Sequence, residues 1–258
     1  MSARPFVSVV TPTYNRRRFL PILIHLYNMQ TYPADKRELI ILDDSPTSNE
    51  DLIPKNNKSI RYIYQPTKMT LGEKRNKLNE LAKGDVIVCF DDDDYHYPDR
   101  IAYSVFKMNQ EKADIAGCTL IDIYFTDIDK TYTFGPYGRN HGTNGTFAYR
   151  RKYFESHKYD NAKNAQEEPD FTNNWTEKMA NLDEKKTIVC ISHDSNTYDK
   201  RNLLKQNQPK REDNMKLNKK IKDKVYLQFL KQISEEMKNE KNITKNDNIS
   251  NSIDKLKI

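Results

Sequence analysis

Short apolar runs recur along the N-terminal part of the chain, and each one breaks into a polar cluster. Phe6–Thr11 (FVSVVT) is a β-branched run stopped by Pro12 and predicts a buried strand. Glu38–Leu42 (ELIIL) predicts a second strand closed by Asp43-Asp44-Ser45-Pro46, and Ile60–Tyr64 (IRYIY) a third. Asp85–Phe90 (DVIVCF) predicts a fourth, running straight into Asp91-Asp92-Asp93-Asp94. Between these runs the apolar spacing changes to that of a helix. Arg17–Gln30 carries Phe19, Leu20, Leu23, Ile24, Leu26 and Tyr27; Gly72–Leu81 carries Leu78 and Leu81; Arg100–Gln110 follows Pro98. Strands alternating with helices predict βαβ units, hence a parallel sheet covered on both faces, with ligands beyond the carboxyl ends of its strands. The polar clusters after the first, second and fourth strands would converge there.

The second half changes character. Ala113–Cys118, Leu120–Phe125 and Lys130–Phe134 predict shorter strands, followed by a Gly-bearing loop over Gly135–Gly145. Gln166–Leu182 predicts mostly helix and Thr187–Ser192 (TIVCIS) a last strand, which together suit a mixed sheet. Beyond about Leu203 the chain is dominated by Lys, Asn, Glu and Asp. Met215, Leu217, Ile221, Val225, Phe229, Leu230, Ile233 and Met237 nevertheless keep a helical stripe. After about Glu240 the low-complexity composition predicts disorder. The division expected is a catalytic domain over 1–204, with halves 1–105 and 106–204, and a basic helical tail over 205–258.

Composition sharpens this in three ways. Hydrophobic residues at 36 % and charged residues at 31 % of 258 mean that part of the chain adds little to a core. A net charge of +6 is a mild excess that favours anionic partners without selecting one. Three cysteines at unrelated spacings suggest neither a disulfide framework nor a zinc site. With no apolar stretch of about 18 residues and no leader-like N-terminus, the expectation is a soluble, cytoplasmic protein.

The acidic run carries the chemistry. Four successive aspartates at the end of an apolar strand repel one another unless something neutralises them, and a hard divalent cation is the natural partner. Alternation along an extended chain sets Asp91 and Asp93 on one side and Asp92 on the other. The plainer reading is a solvated acidic turn that caps the following helix, a role that suits Asp94 best.

The segments VSVVTPTYNR, LIILDDS, LGEKRNKL and GDVIVCFDDDDYHYPDRI, in this order, resemble family 2 glycosyltransferases of the GT-A fold. The likeness covers about the first 105 residues strongly and continues more faintly to about Asn202. It implies an α/β chain with a Rossmann-like nucleotide-binding half and a mixed-sheet acceptor half. It implies an inverting, metal-dependent transfer of a sugar from a nucleotide sugar, with UDP the expected nucleotide and Mn²⁺ or Mg²⁺ the cofactor. By resemblance Thr11, Tyr14 and Asn15 would line the nucleoside pocket and Asp44 would accept from the base, while Asp43 braces the loop. Arg75, with Lys74 beside it, would approach the nucleotide. Asp92 counts among the nucleotide contacts, and Asp93, Asp91 and His193 are the expected metal ligands. A plain loop histidine is the competing reading of His193.

Inverting transfer needs a carboxylate to take the acceptor's proton. Gln166-Glu167-Glu168-Pro169-Asp170 stands where the resembling enzymes carry a Glu-Asp pair, with Glu168 in the Asp position and Glu167 and Asp170 as competitors. Acidic residues in a first helical turn also simply favour the helix dipole. Trp175 suits a sugar-stacking role or a core role. The partners expected are a nucleotide-sugar donor and a hydroxyl acceptor on a glycan, lipid or protein, with no nucleic acid. The tail is left open to a peripheral membrane or protein contact, and the chain to homodimerisation. Two rivals stay open: a nucleotidyltransferase, against which TPTYNRRR lacks the glycine-rich phosphate loop, and a non-catalytic binding module.

Overall fold

The computed structural model describes residues 4–236. The strands are β1 (Val7–Thr13), β2 (Arg37–Asp43), β3 (Ile60–Tyr64), β4 (Val86–Cys89), β5 (Tyr95–His96), β6 (Ile115–Gly117), β7 (Ile121–Phe125), β8 (Lys130–Phe134), β9 (Ala148–Arg150), β10 (Met179–Asn181), β11 (Ile188–Ser192) and β12 (Lys210–Asp213). They form a seven-stranded sheet in the order β10-β6-β9-β4-β1-β2-β3 and a five-stranded sheet in the order β12-β8-β7-β11-β5. In the large sheet β1 pairs in parallel with both β2 and β4, and β2 with β3. Only β9 runs against its neighbours β4 and β6 there, among the described residues.

Helices cover both faces because both faces of β1, β2 and β4 are apolar. Val7, Val9, Leu39, Ile41, Val86 and Val88 pack on one side against α1 (Leu20–Asn28) and α3 (Arg100–Glu111). Val10, Ile40, Leu42, Ile87 and Cys89 pack on the other against α2 (Leu71–Leu81) and α4 (Arg151–Ser156). The start of α2 is fixed by a capping box: Thr70 accepts from the Glu73 N–H at 3.2 Å while Glu73 accepts from the Thr70 N–H at 2.9 Å. Residues 90–94 carry the chain out of β4 in the large sheet and into β5 in the small one. The small sheet packs its outer face on α1 and on the C-terminal segment, through Ile22, Leu26, Val189, Ile191, Ile221, Tyr226 and Leu230.

Two expectations are corrected. The long helix over Gln166–Leu182 is confined to α5 (Glu168–Phe171). Asn173, Asn174 and Trp175 take left-handed φ values of 48°, 54° and 63°, which ends the helix, and β10 follows as a strand paired with β6. The stripe after 205 is not one helix. Lys210–Asp213 pairs antiparallel with β8, a single turn forms at Leu217–Lys220, and residues 224–236 make a separate helix. Asp223 starts that helix afresh by accepting from the N–H groups of Val225 and Tyr226 at 2.9 and 3.0 Å. Tyr226 is thereby buried, and Val225, expected on the apolar side, is 54 % exposed. Met237 and the stretch expected to be disordered lie outside the described residues. No helix among the described residues is long and apolar enough to cross a membrane.

Candidate active site

Where the strand order turns from β1 towards β2 on one side and β4 on the other, the carboxyl ends of β1 and β4 leave a cavity of about 410 Å³. Thr13, Tyr14, Asn15 and Arg16 line it from β1, Lys74 and Arg75 from α2, Asp91, Asp92 and Asp93 from β4, and Ser195–Tyr198 with Lys200 from the loop after β11. Negative and positive groups therefore alternate around one crevice.

Each aspartate has its own partner. Asp91 is half-buried, 3.7 Å from the Arg75 guanidinium, and its carbonyl lies 2.9 Å from His96 Nε2. His96 stacks on Phe90 at 3.7 Å, so the backbone at Asp91 is fixed from below. Asp92 accepts from Thr13 Oγ1 at 2.6 Å, and burial pushes its carboxyl up to about 7. Asp93 meets His193 Nε2 at 3.1 Å, Asn196 Nδ2 at 3.0 Å and Arg16 at 3.6 Å. Burial alone would raise its carboxyl, but Lys200, His193 and Arg16 hold it far below the usual range. Against the expectation from the sequence, Asp94 does not cap α3, whose N-cap position is Asp99. It turns inward to accept from the Ile191 N–H at 2.9 Å, and burial pushes it up to about 7.

The base region lies behind this. Glu167 is buried and bound to Arg75 Nε at 2.6 Å, so its charge is spent on the guanidinium. Glu168 is half-buried, accepts from the Asn144 N–H at 3.1 Å, and is raised by burial and by Glu167 beside it. Asp170 is exposed and 3.9 Å from Lys163. Trp175 packs against His141, with ring centroids 4.2 Å apart and the planes tilted by 30°.

Several sequence-expected residues stand elsewhere. Thr11 is wholly buried, with its hydroxyl unpartnered, and does not line the cavity; β1 runs two residues further than its apolar run, and Thr13, on the same side of the strand, takes the position at the tip. Asp44 is also buried outside the lining, held by Lys74 Nζ at 2.6 Å and the Met69 N–H at 2.7 Å. Asp43 braces its loop through Ser45, Asn49 and Tyr62. Tyr14 lines the cavity with the Lys68 ammonium 4.3 Å from its ring centre, and Asn15, at φ 55°, donates its N–H to Ser45. Sequence reasoning missed Thr13, Arg16 and Asn196. Only the basic run NRRR and the Asx-type turn HDSN signalled the last two.

The expected metal trio is not assembled. No three His, Cys, Asp or Glu side chains among the described residues gather where they could hold a metal ion. Asp91 is drawn towards Arg75, and Asp93 towards Arg16 and His193. The two carboxylates are hard oxygen donors lining the cavity, and their chemistry fits Mg²⁺ or Mn²⁺. His193 fits less well. Its Nδ1 accepts from the Ser195 N–H at 3.2 Å, and its Nε2 lies 3.1 Å from both Asp93 Oδ2 and Asn196 Nδ2, so both ring nitrogens already have protein partners.

Solved glycosyltransferases share this architecture, which is the GT-A fold. The S. aureus TarS fragment 1–349, in complex with UDP-GlcNAc, superposes with a TM-score of 0.59 at 17 % identity over 74 % of this chain and 60 % of its own. The mannosyltransferase PcManGT of Pyrobaculum calidifontis, in complex with GDP-Man and Mn²⁺, gives 0.58 at 15 % identity over 74 % and 57 %. The model of glycosyl transferase family 2 matches residues 8–161, and the chain belongs to that family. TuaG of Bacillus subtilis (strain 168), a glycosyltransferase named for teichuronic acid biosynthesis, is 30 % identical over 133 residues, 49 % of this chain. The match spans about half of that relative, 52 % of its length.

Proposed function

We propose that this protein transfers a sugar from a UDP-sugar to a hydroxyl acceptor, with inversion and with a requirement for Mn²⁺ or Mg²⁺. The observation that carries this is the cavity at the tips of β1 and β4, where Asp91 and Asp93 stand among Arg16, Arg75 and Lys200. Such a cavity suits a donor that is both anionic at its diphosphate and rich in hydroxyls. TarS with UDP-GlcNAc and PcManGT with GDP-Man and Mn²⁺ support nucleotide sugars as the ligand class.

Tyr14 offers the base an aromatic face, and Arg16, Arg75 and Lys200 offer the diphosphate their charge. Asp91 and Asp93 would hold the cation, which would supply positive charge against the leaving diphosphate. Glu168 takes the proton from the acceptor hydroxyl as that oxygen bonds to the sugar's anomeric carbon and the bond to the diphosphate breaks. Its raised proton affinity makes it a stronger base than an exposed glutamate. Glu167, neutralised by Arg75, is the positioning partner. With Glu167 held by Arg75 and Asp170 turned to Lys163, Glu168 is left as a single base, which agrees with a single displacement and thus with inversion. The buried, unpaired Cys89, Cys118 and Cys190 agree with a cytoplasmic setting.

Calorimetry of UDP and GDP with and without Mn²⁺, followed by a panel of UDP-sugars scored for released UDP, tests the reading. UDP should bind in the presence of Mn²⁺, and Asp93→Ala should abolish the metal-dependent part. Failure to capture either nucleotide, or release of pyrophosphate in place of UDP, overturns it.

A further inference from the structure

The helix of residues 224–236 lies beyond the family-matched segment 8–161, yet it reaches the groups that hold Asp93. Phe19, only 2 % exposed, sits between them. On one side it packs against Phe229 and Ile233 of that helix, with the Phe229 ring edge-on at 5.8 Å and 73°. On the other it stacks on the His193 imidazole at 5.0 Å and 23°. The Arg16 guanidinium lies 5.5 Å from the same ring. His193 and Arg16 are in turn two of the groups that meet Asp93, at 3.1 and 3.6 Å. One aromatic ring thus separates the C-terminal helix from Arg16, which lines the cavity, and from His193, which meets Asp93 behind it.

We propose that the C-terminal helix is a positioning element of the donor site, with Phe229 acting through Phe19 to set the plane of His193 and the placing of Arg16 on Asp93. The inference rests on the reading of the cavity as a nucleotide site. The Ser195 N–H and Asp93 hold the two ring nitrogens of His193 at 3.2 and 3.1 Å and so set which edge faces Asp93, while the tilt of the ring plane is limited by the Phe19 face stacked on it. Interdigitated rings transmit such an orientation because a void beside one leaves it free to tilt. A second contact points the same way: Tyr226 is 1 % exposed and packs on Tyr95, next to the acidic run.

The test uses the full-length chain with Phe229→Ala, Phe229→Leu, and Val225→Ala as a control on the exposed side of the same helix. UDP binding in Mn²⁺ is measured by calorimetry at a temperature where circular dichroism shows each variant folded. The ring resonances of His193, assigned with His193→Gln, are followed by NMR in the absence of nucleotide. Phe229→Ala should weaken UDP binding on the order of tenfold and shift the His193 resonances, with Phe229→Leu in between and Val225→Ala unchanged. A purely structural role would lower the melting temperature and leave both readouts alone, which overturns the proposal. If wild type binds no nucleotide, the functional reading falls, and the His193 resonances alone decide this one. If Phe229→Ala does not fold, Phe229→Leu carries the same two outcomes.

Discussion

Gly145 approaches Asp91 so closely that a Cβ built on it would stand 2.7 Å from Oδ2, with Ile188 Cδ1 at 3.5 Å on its other side. Its backbone does not require glycine, since its φ is not positive; what forbids a side chain is the carboxylate. In Gly145→Ala the methyl and the carboxylate oxygen must separate to roughly 3.3 Å, so Asp91 moves by about 0.6 Å and away from the position in which Arg75 now meets it. The obstacle is the mobile end of a side chain, so the fold should lose about 1 kcal/mol or less. Catalysis should lose far more, because a 1 Å misplacement at a reacting centre costs about a hundredfold. We expect kcat/KM for UDP release to fall roughly ten- to a hundredfold, with the melting temperature within a few degrees of wild type. Gly138→Ala is the matched control, since its Cβ would meet nothing nearer than 3.9 Å. Full activity in Gly145→Ala would show that the position of Asp91 does not matter to the chemistry.

Glu168→Gln should bind UDP as wild type does and turn over about 10²- to 10⁴-fold more slowly; unimpaired single-turnover kinetics would remove Glu168 as the base. Asp92 and Asp94, both raised by burial to about 7, hold protons more tightly in the folded chain than in the unfolded one. Ionising them therefore costs stability as pH rises between about 4 and about 7, whereas the stability from Asp93, which is depressed, is lost only in more acidic solution. Relative to wild type in EDTA, Asp94→Asn should gain melting temperature as pH rises from about 5 to about 8, and a difference that stays flat with pH would refute the assignment.

Of the first four strands, β1, β2 and β4 were legible because each carries a β-branched or aliphatic run buried on both faces, and β3 because Ile60, Tyr62, Ile63 and Tyr64 favour a strand even though it is only half-buried. The acidic run was legible because it stands directly at the end of such a strand, whereas Tyr14 and Arg75, the latter within α2, were reached through the family resemblance. The short strands were not legible. Lys210–Asp213 (KRED) is polar throughout and is a strand only because β8 offers it a ladder. Tyr95–His96 is too brief to show any period. Between 166 and 182 the spacing of Phe171, Trp175 and Met179 imitates a helix, yet the Asn173-Asn174 pair turns the chain left-handed before the pattern can be used. In the site, pairing between distant segments decided what spacing could not: Asp44 goes to Lys74, Glu167 to Arg75 and Asp94 to the Ile191 N–H.

Residues 90–94 are the seam between the two sheets, and their carboxylates are fastened to opposite banks. Asp91 leans on Arg75, whose helix rides on the large sheet, while Asp93 is tethered to His193 at the end of β11 in the small one. Any ligand that gathers those two side chains tugs on both layers at once.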